Sequence, residues 1–471
     1  MTAIFRSPGK QSLYCYDTRQ GKGRVNKTTC VSGLLECYHI TRQSLGLDSC
    51  VIVAAKLIGP VGEETTQIPP EKVYSALAYA IQQHVALSAE VDETTSVFKR
   101  LSVINMEKSV HFLTKEEQGN SITTLFEREF TNPIGPNSND GLLWRLTITL
   151  DNTVIFSWHH CIGDGQSGLA FLRTFLEGLN KGGHEYITVV QTPDKQLAPA
   201  IDDLTDLSPS FLTILGAVLG LFLPKATKDI WTGNVVSTKK VFRTRVRMVT
   251  ISDTDFIKLR TLAKEHKTTF TAILHTLCVC SLSKVVLSNP SNTVFRRFTT
   301  SVPISLRPLA NISPTTMGDF GSSLTSTHKL KTDFSWEDAT LFKQQLHKSI
   351  PKSRQLVGLL KLIRGQYVKY LESKQGKKRE ASFAISNLGL YISDSKSNFM
   401  PSTKDKEWTF GDMYFSQDDG TLGAALKANV VGSSNGNVNI TISWGEAALS
   451  DDDAKAFVAE LERSIRDLVG A

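Results

Sequence analysis

The run Trp158-His159-His160-Cys161-Ile162-Gly163-Asp164-Gly165 holds the residues best equipped for chemistry in this chain. An imidazole ionises near pH ~6.5, so His159 or His160 could take a proton from a hydroxyl at cellular pH and later return it. The same residue types admit other uses. A histidine in an apolar segment is often a packed core residue, and histidine with aspartate can ligate a metal. Neighbouring strand residues point to opposite faces, however, so His159 and His160 cannot grip one ion unless the backbone turns between them. No further cluster of Cys, His and carboxylates at ligand spacing is visible, so no metal is expected. Cys161, beside His160, is in principle a thiol nucleophile.

A proton acceptor is useful only if something rigid aims it. Residues 153–158, Thr-Val-Ile-Phe-Ser-Trp, are β-branched and aromatic, and predict a buried strand that ends at the histidines. Residues 142–150 predict its hairpin partner across an Asp151-Asn152 turn. Beyond Gly165, the recurrence of Leu169, Phe171, Leu172, Phe175 and Leu179 predicts a helix leaving the motif. Gly163 and Gly165 permit a tight turn between strand and helix. Elsewhere, helices are predicted from Pro70, after Ser252-Asp253, from Thr269 to Leu282, and near 336–349, 354–372 and 450–469. Strands are predicted near 295–305, 381–386, 410–416, 423–431 and 437–444. Residues 182–209, with Gly182-Gly183 and three prolines, read as a surface excursion, and 232–247 as a crossover. Two halves that each mix helix with sheet, 1–235 carrying the histidines and 236–471, imply a two-lobed α/β architecture.

Residues 159–165 resemble the HHxxxDG signature of the acyltransferase superfamily that includes chloramphenicol acetyltransferase, condensation domains, BAHD acyltransferases and alcohol acetyltransferases. Three more segments fall in order around it. Residues 34–47 are similar to the opening of the alcohol acetyltransferases. Residues 301–308, ending Leu306-Arg307-Pro308, with Met317-Gly318-Asp319-Phe320 after them, resemble the "slRP then mGnf" passage of condensation domains and alcohol acetyltransferases. Ile385-Ser386-Asn387-Leu388-Gly389 resembles a polar loop of the same enzymes. Asp319-Phe320-Gly321 runs into Ser322-Ser323, unlike the DFGWG of BAHD enzymes. The fungal-type alcohol O-acetyltransferases are therefore the family most resembled.

The resemblance implies a chloramphenicol acetyltransferase-like fold, with two mixed-sheet lobes and an active-site tunnel between them. It implies transfer of an acyl group, chiefly acetyl, from acyl-CoA directly to the hydroxyl of a small or lipophilic alcohol. His160 is then the general base, His159 a structural neighbour and Cys161 a spacer. Asp164 braces the loop through an arginine, for which Arg307 is the first candidate and Arg145 the second; a forked guanidinium suits that task. Candidate oxyanion donors are the backbone of Gly163 or Gly165, the hydroxyls of Ser322 and Ser323, and the Asn387 amide. Lys377, Lys378 and Arg379 form a basic loop that could meet coenzyme A phosphates. Acyl-CoA (acetyl-CoA) is a co-substrate, and no permanently bound cofactor is expected. Two other readings stay open: a condensation-like enzyme fed by a carrier-protein thioester, and a non-catalytic protein that holds a lipophilic ligand.

Bulk properties fit a large globular chain. It has 471 residues, 41% apolar, with a net charge of +7 spread without long basic blocks, so no nucleic-acid partner is expected. Seven cysteines without a disulfide-like framework suit a reducing, cytoplasmic setting. The N-terminus has no secretory-type apolar stretch. The longest apolar run, 211–223, is shorter than the ~20 residues that span a bilayer. A buried or tunnel-lining helix is expected there, with peripheral membrane contact as the sharper alternative. A monomer is expected.

Overall fold

The computed structural model describes residues 29–61, 67–119, 121–136, 141–182, 186–222, 228–238, 243–391, 407–418 and 420–470. One sheet has the histidine strand at its centre, in the order Thr409–Gln417, Val51–Ile58, Thr153–Trp158, Trp144–Ile148, Val110–Phe112. All six residues of Thr153–Trp158 are buried, as a central β-branched and aromatic run should be. The hairpin to Trp144–Ile148 turns at Asn152, whose φ of 64° lies in the left-handed region that asparagine tolerates. Helices Pro70–Gln83 and Gly165–Lys181 cross one another closely, because a Cβ at Gly178 would stand 2.9 Å from the Ala76 backbone. Phe171 of the second helix stacks on Phe156 of the histidine strand at 3.8 Å between centroids. The element that carries the histidines is thus locked on both sides.

The second sheet runs Ile230–Trp231, Arg297–Ser305, Ala381–Leu390, Ala424–Gly432, Val438–Gly445, Thr244–Ile251, with Gly321–Lys329 antiparallel to Arg297–Ser305. Helices Phe270–Ser288 and Asp451–Val469 bury their apolar faces in the core of this sheet. Phe270–Ser288 is long and apolar enough to cross a membrane, yet most of it is buried in that core. It is a core helix.

Several expectations need correction. The strand Thr409–Gln417 belongs to the first sheet and Ile230–Trp231 to the second, so the sheets do not divide at 235/236. Thr409–Gln417 also ties the lobes together, accepting from Thr441 Oγ1 at the Phe415 carbonyl (2.6 Å) and from Asn439 Nδ2 at the Met413 carbonyl (2.9 Å). The helix predicted over 354–372 breaks into Ser353–Gly358, a 3-10 turn Leu359–Ile363, and Tyr367–Glu372, with Gly365 at φ 76° between the last two. The apolar run forms the helix Phe211–Phe222, but it does not line the interior. Phe211 and Leu212 are 75% and 76% exposed, and Leu215, Val218 and Leu219 are exposed too. A helix apolar all round carries no stripe to say which face is covered.

Candidate active site

Trp158 closes the loop that follows its strand by donating from Nε1 to the Gly163 carbonyl, 2.7 Å away. The backbone therefore turns between the histidines, through the 3-10 turn His160–Ile162. His159 faces inward, its Nδ1 accepting from Cys161 N–H at 3.0 Å, and burial drives its pKa down to about 3. It is a neutral cap for the turn. His160 points the other way, with 23% of its side chain exposed, and burial lowers its pKa from the ordinary value. Its Nδ1 is buried, which leaves Nε2 as the nitrogen for a substrate.

Asp164 begins the helix Gly165–Lys181. Its Oδ1 accepts from Ser167 N–H and Oγ, both at 3.1 Å, as an N-cap should. Its Oδ2 meets Arg307 at 2.5 Å and accepts from Phe320 N–H at 3.3 Å. Arg307, 3% exposed, also donates to Ser167 Oγ (3.2 Å) and the Thr316 carbonyl (3.0 Å), and lies over the Phe320 ring. One guanidinium thereby pins the motif loop of the first lobe to residues 307–320. Arg145, the other candidate, is spent on Glu129.

Around His160 the structure assembles a cluster that sequence spacing did not reveal. The His39 ring, from helix Leu34–Ser44, stacks on His160 with centroids 3.8 Å apart and planes 2° from parallel. Asp319 Oδ2 lies 3.4 Å from His39 Nε2 and 3.8 Å from His160 Nδ1. Burial, reinforced by Glu36 and Asp164, holds the Asp319 carboxyl well above the usual carboxylate range. Burial and His160 push His39 well down. The ligand atoms of His39, His160 and Asp319 fall within 4.8 Å of one another, so a His-His-Asp cluster exists after all. It does not suit one ion, because imidazole lone pairs lie in the ring planes and two parallel rings direct theirs side by side. The available signal was Glu36, His39 and Arg42 at i, i+3 spacing on one helix face.

The remaining candidates divide. A Cβ on Gly165 would sit 2.6 Å from Leu388 Cδ2 and 3.1 Å from the Phe415 ring, so glycine here lets the lobes touch. Gln166 Nε2 donates to the Leu388 carbonyl (2.9 Å), which brings the Asn387 strand end to the motif. Asn387 itself donates to Thr271 Oγ1 and accepts from Gly389 N–H. Gly163 N–H is taken by the His160 carbonyl (3.2 Å), whereas first-turn N–H groups such as that of Gly165 lack an intrahelical acceptor. Ser322 and Ser323 lie in the strand Gly321–Lys329; Ser322 Oγ donates to the Ser353 carbonyl and Ser323 Oγ shares a bond with Ser301. The basic loop is also largely committed. Arg379 is buried and donates to the Asn234 and Thr421 carbonyls, whereas Lys377 and Lys378 are exposed, with Lys378 donating to the Ile230 carbonyl. Cys161 is buried, and burial holds it well above the usual thiol range, so it is no thiolate nucleophile.

A strand-loop-helix that delivers His160 and a braced Asp164 to the junction of two sheets can be set beside known proteins. The sequence profile described as alcohol acetyltransferase matches residues 113–465. The chain belongs to the alcohol acetyltransferase family. It is 24% identical over 420 residues, 80% of this chain and 86% of the relative, to "Probable alcohol acetyltransferase crmB" of Aspergillus fumigatus. It is 23% identical over 355 residues, 69% of this chain and 68% of the relative, to "Probable alcohol acetyltransferase FCK4" of Fusarium pseudograminearum. In fold it resembles TRI3 trichothecene 15-O-acetyltransferase from Fusarium sporotrichioides, at a TM-score of 0.68 and 13% identity over 99% of both chains. It also resembles an epimerization domain of tyrocidine synthetase B, at a TM-score of 0.61 and 13% identity over 94% of this chain and 96% of that one. The fold is thus the mixed α/β architecture shared by condensation domains and chloramphenicol acetyltransferase-like enzymes, and the protein is an acetyltransferase of the alcohol acetyltransferase family.

Proposed function

We propose that the protein transfers an acetyl group from acetyl-CoA to the hydroxyl of a lipophilic alcohol, in one ternary complex, with His160 Nε2 as general base. The observation that carries this reading is the His160 imidazole, neutral and partly exposed at the lobe junction while its flanking loop is fixed by Asp164 and Arg307. A neutral imidazole can accept the alcohol proton as the oxygen attacks the thioester carbonyl, and later return it to the leaving thiolate. Such positioned proton transfer is worth roughly 10² to 10⁴ in rate. The thiol state of Cys161 supports direct transfer over an acyl-enzyme. Gly165 N–H, in the first turn of its helix, is the best-supported oxyanion donor of those considered. The exposed face of Phe211–Phe222 supports contact with a lipid surface over a role inside the channel.

The test is release of free CoA from acetyl-CoA in the presence of a panel of linear and terpenoid alcohols, with ester formation read by mass. His160→Ala should lose at least about 10² in turnover while keeping its melting temperature. Wild-type turnover in that variant would end the reading. The likeness to peptide-synthetase domains keeps one alternative, a carrier-protein thioester donor. Turnover with acetylated carrier protein but not with acetyl-CoA would select it.

A further inference from the structure

The helix Phe211–Phe222 turns one apolar side to solvent. Phe211, Leu212, Leu215, Val218 and Leu219 are exposed and recur at the i, i+3 and i+4 spacing of a single helix face, while Ile214 and Ala217 between them are half-buried. The foot of the helix is fastened to a distant segment: Ser210 N–H and Thr213 Oγ1 donate to Gln355 Oε1 at 3.2 and 2.7 Å, and a Cβ on Gly358 would overlap the Leu207 carbonyl. That segment carries more exposed leucine, Leu356 at 36% and Leu362 at 53%, so the apolar surface continues past the helix. It is also basic. Between Asp338 and Glu372 the chain has seven Lys and Arg and no carboxylate, and Lys352, Arg354 and Lys361 are exposed beside the two leucines. Asp206 is the acid on which Arg354 and Lys361 act, and Asp202 and Asp203 lie just before it in the chain. Beneath both elements is one small core, in which Leu207 and Val357 meet Leu34 and Leu35 of the His39 helix and Leu306 and Phe320, the residues that flank 307–319.

We propose that this face docks on an anionic membrane surface, with the exposed side of Phe211–Phe222 among the acyl chains and the cations of 339–371 over the headgroups. The inference deepens the lipid contact proposed for the helix, and it rests on the reading of the acceptor as a lipophilic alcohol only for its catalytic consequence. An apolar helix face with flanking Lys and Arg is the composition that lies in a membrane interface, where burial of the side chains and attraction to anionic lipid add together. Each Lys or Arg near such a surface strengthens binding about 5-fold. A second copy of the chain is the poorer occupant, because a two-fold contact through this face sets the cations of one protomer against those of the other. Docking turns toward the bilayer the small core whose inner residues adjoin Arg307 and Asp319. An alcohol dissolved in the membrane is then concentrated beside the site that acetylates it.

The experiment measures co-sedimentation of the full chain with phosphatidylcholine vesicles and with vesicles of phosphatidylcholine and phosphatidylserine, without acceptor or acetyl-CoA. Wild type should bind the mixed vesicles more tightly, and added salt should remove the difference. Arg354→Gln with Lys361→Gln should weaken binding to the mixed vesicles about 30-fold and leave the neutral ones unaffected, whereas Asp206→Asn should strengthen the former about 5-fold. Phe211→Ser with Leu212→Ser should weaken binding to both. With 1-octanol in solution these variants should keep the wild-type kcat, while 1-hexadecanol carried in mixed vesicles should show a KM that rises as binding is lost. Equal binding of wild type to the two kinds of vesicle, binding to neither, or undiminished binding of the glutamine variant overturns the docking. A dimer in sedimentation velocity that Phe211→Ser with Leu212→Ser dissociates, with no vesicle bound, assigns the face to a second copy and overturns it as well. Wild-type turnover in His160→Ala brings down the base reading instead and leaves vesicle binding as it was. Should a variant fail to fold, the salt series on wild type carries the comparison.

Discussion

Arg307→Ala removes a guanidinium that is 3% exposed and that holds Asp164 Oδ2 at 2.5 Å. The Asp164 carboxylate stays behind with Ser167 and the Phe320 N–H as its donors, while the Thr316 carbonyl loses its partner. Stripping one member from a buried ion pair costs about 3–5 kcal/mol, because the other charge remains uncompensated. With about 2.1 cal/mol/K of unfolding entropy per residue, 471 residues give roughly 1 kcal/mol/K, so Tm should fall by about 3–5 °C in a single transition. Activity should fall further than stability, since a ~1 Å misplacement of a catalytic group costs about 10²-fold. Asp164→Asn combined with Arg307→Met removes the stranded charge and should recover part of the Tm without the activity. Thermal melts and CoA release on the three proteins make the measurement. An Arg307→Ala protein with wild-type Tm and turnover would refute the brace.

The pH dependence of stability follows from burial. His159 is driven to about 3 and His84 and His328 to about 4, below the ordinary 6.5, so the unfolded chain binds more protons between those values. Their contribution is complete above about pH 6.5 and is lost as pH falls, toward 4 for His84 and His328 and toward 3 for His159, which Tm measured against pH will read. Glu36 acts in the opposite sense: burial raises it from 4.5 to about 8, so its cost grows as pH rises between them, and Glu36→Gln should raise Tm at pH 8 but little at pH 5. Gly165→Ala forces a methyl into Leu388 and Phe415 and should cost about 1–3 kcal/mol with a clear loss of turnover. Arg379→Ala should lower Tm, through its lost carbonyl partners, whereas Lys377→Ala should leave Tm alone and raise the KM for acetyl-CoA if that loop meets phosphates. Phe211→Ser with Leu212→Ser should leave Tm within about 1 °C, because both side chains are exposed, and should lower co-sedimentation with lipid vesicles.

The sequence by itself determined the local machinery. A continuous β-branched and aromatic run marked the strand into His159, and the recurrence of Leu169, Phe171, Leu172 and Phe175 marked the helix out of it. These are short-range consequences of side-chain type and backbone periodicity, so they survive without knowledge of the partner surface. Arg307 came from the resemblance of residues 301–308, and the structure brings it to Asp164 across 143 positions. Tertiary structure alone decided the rest. His39 and Asp319 meet at His160 because a helix, a strand end and a loop from both lobes converge there, and no local pattern encodes convergence. The strand Thr409–Gln417 crosses to the first sheet for the same reason: its own alternation says that it pairs, not with which edge. The exposure of Phe211–Phe222 and the burial of Arg379 complete the lesson. Apolar and cationic residues announce what a surface could bind, but only packing determines which of them is left facing outward.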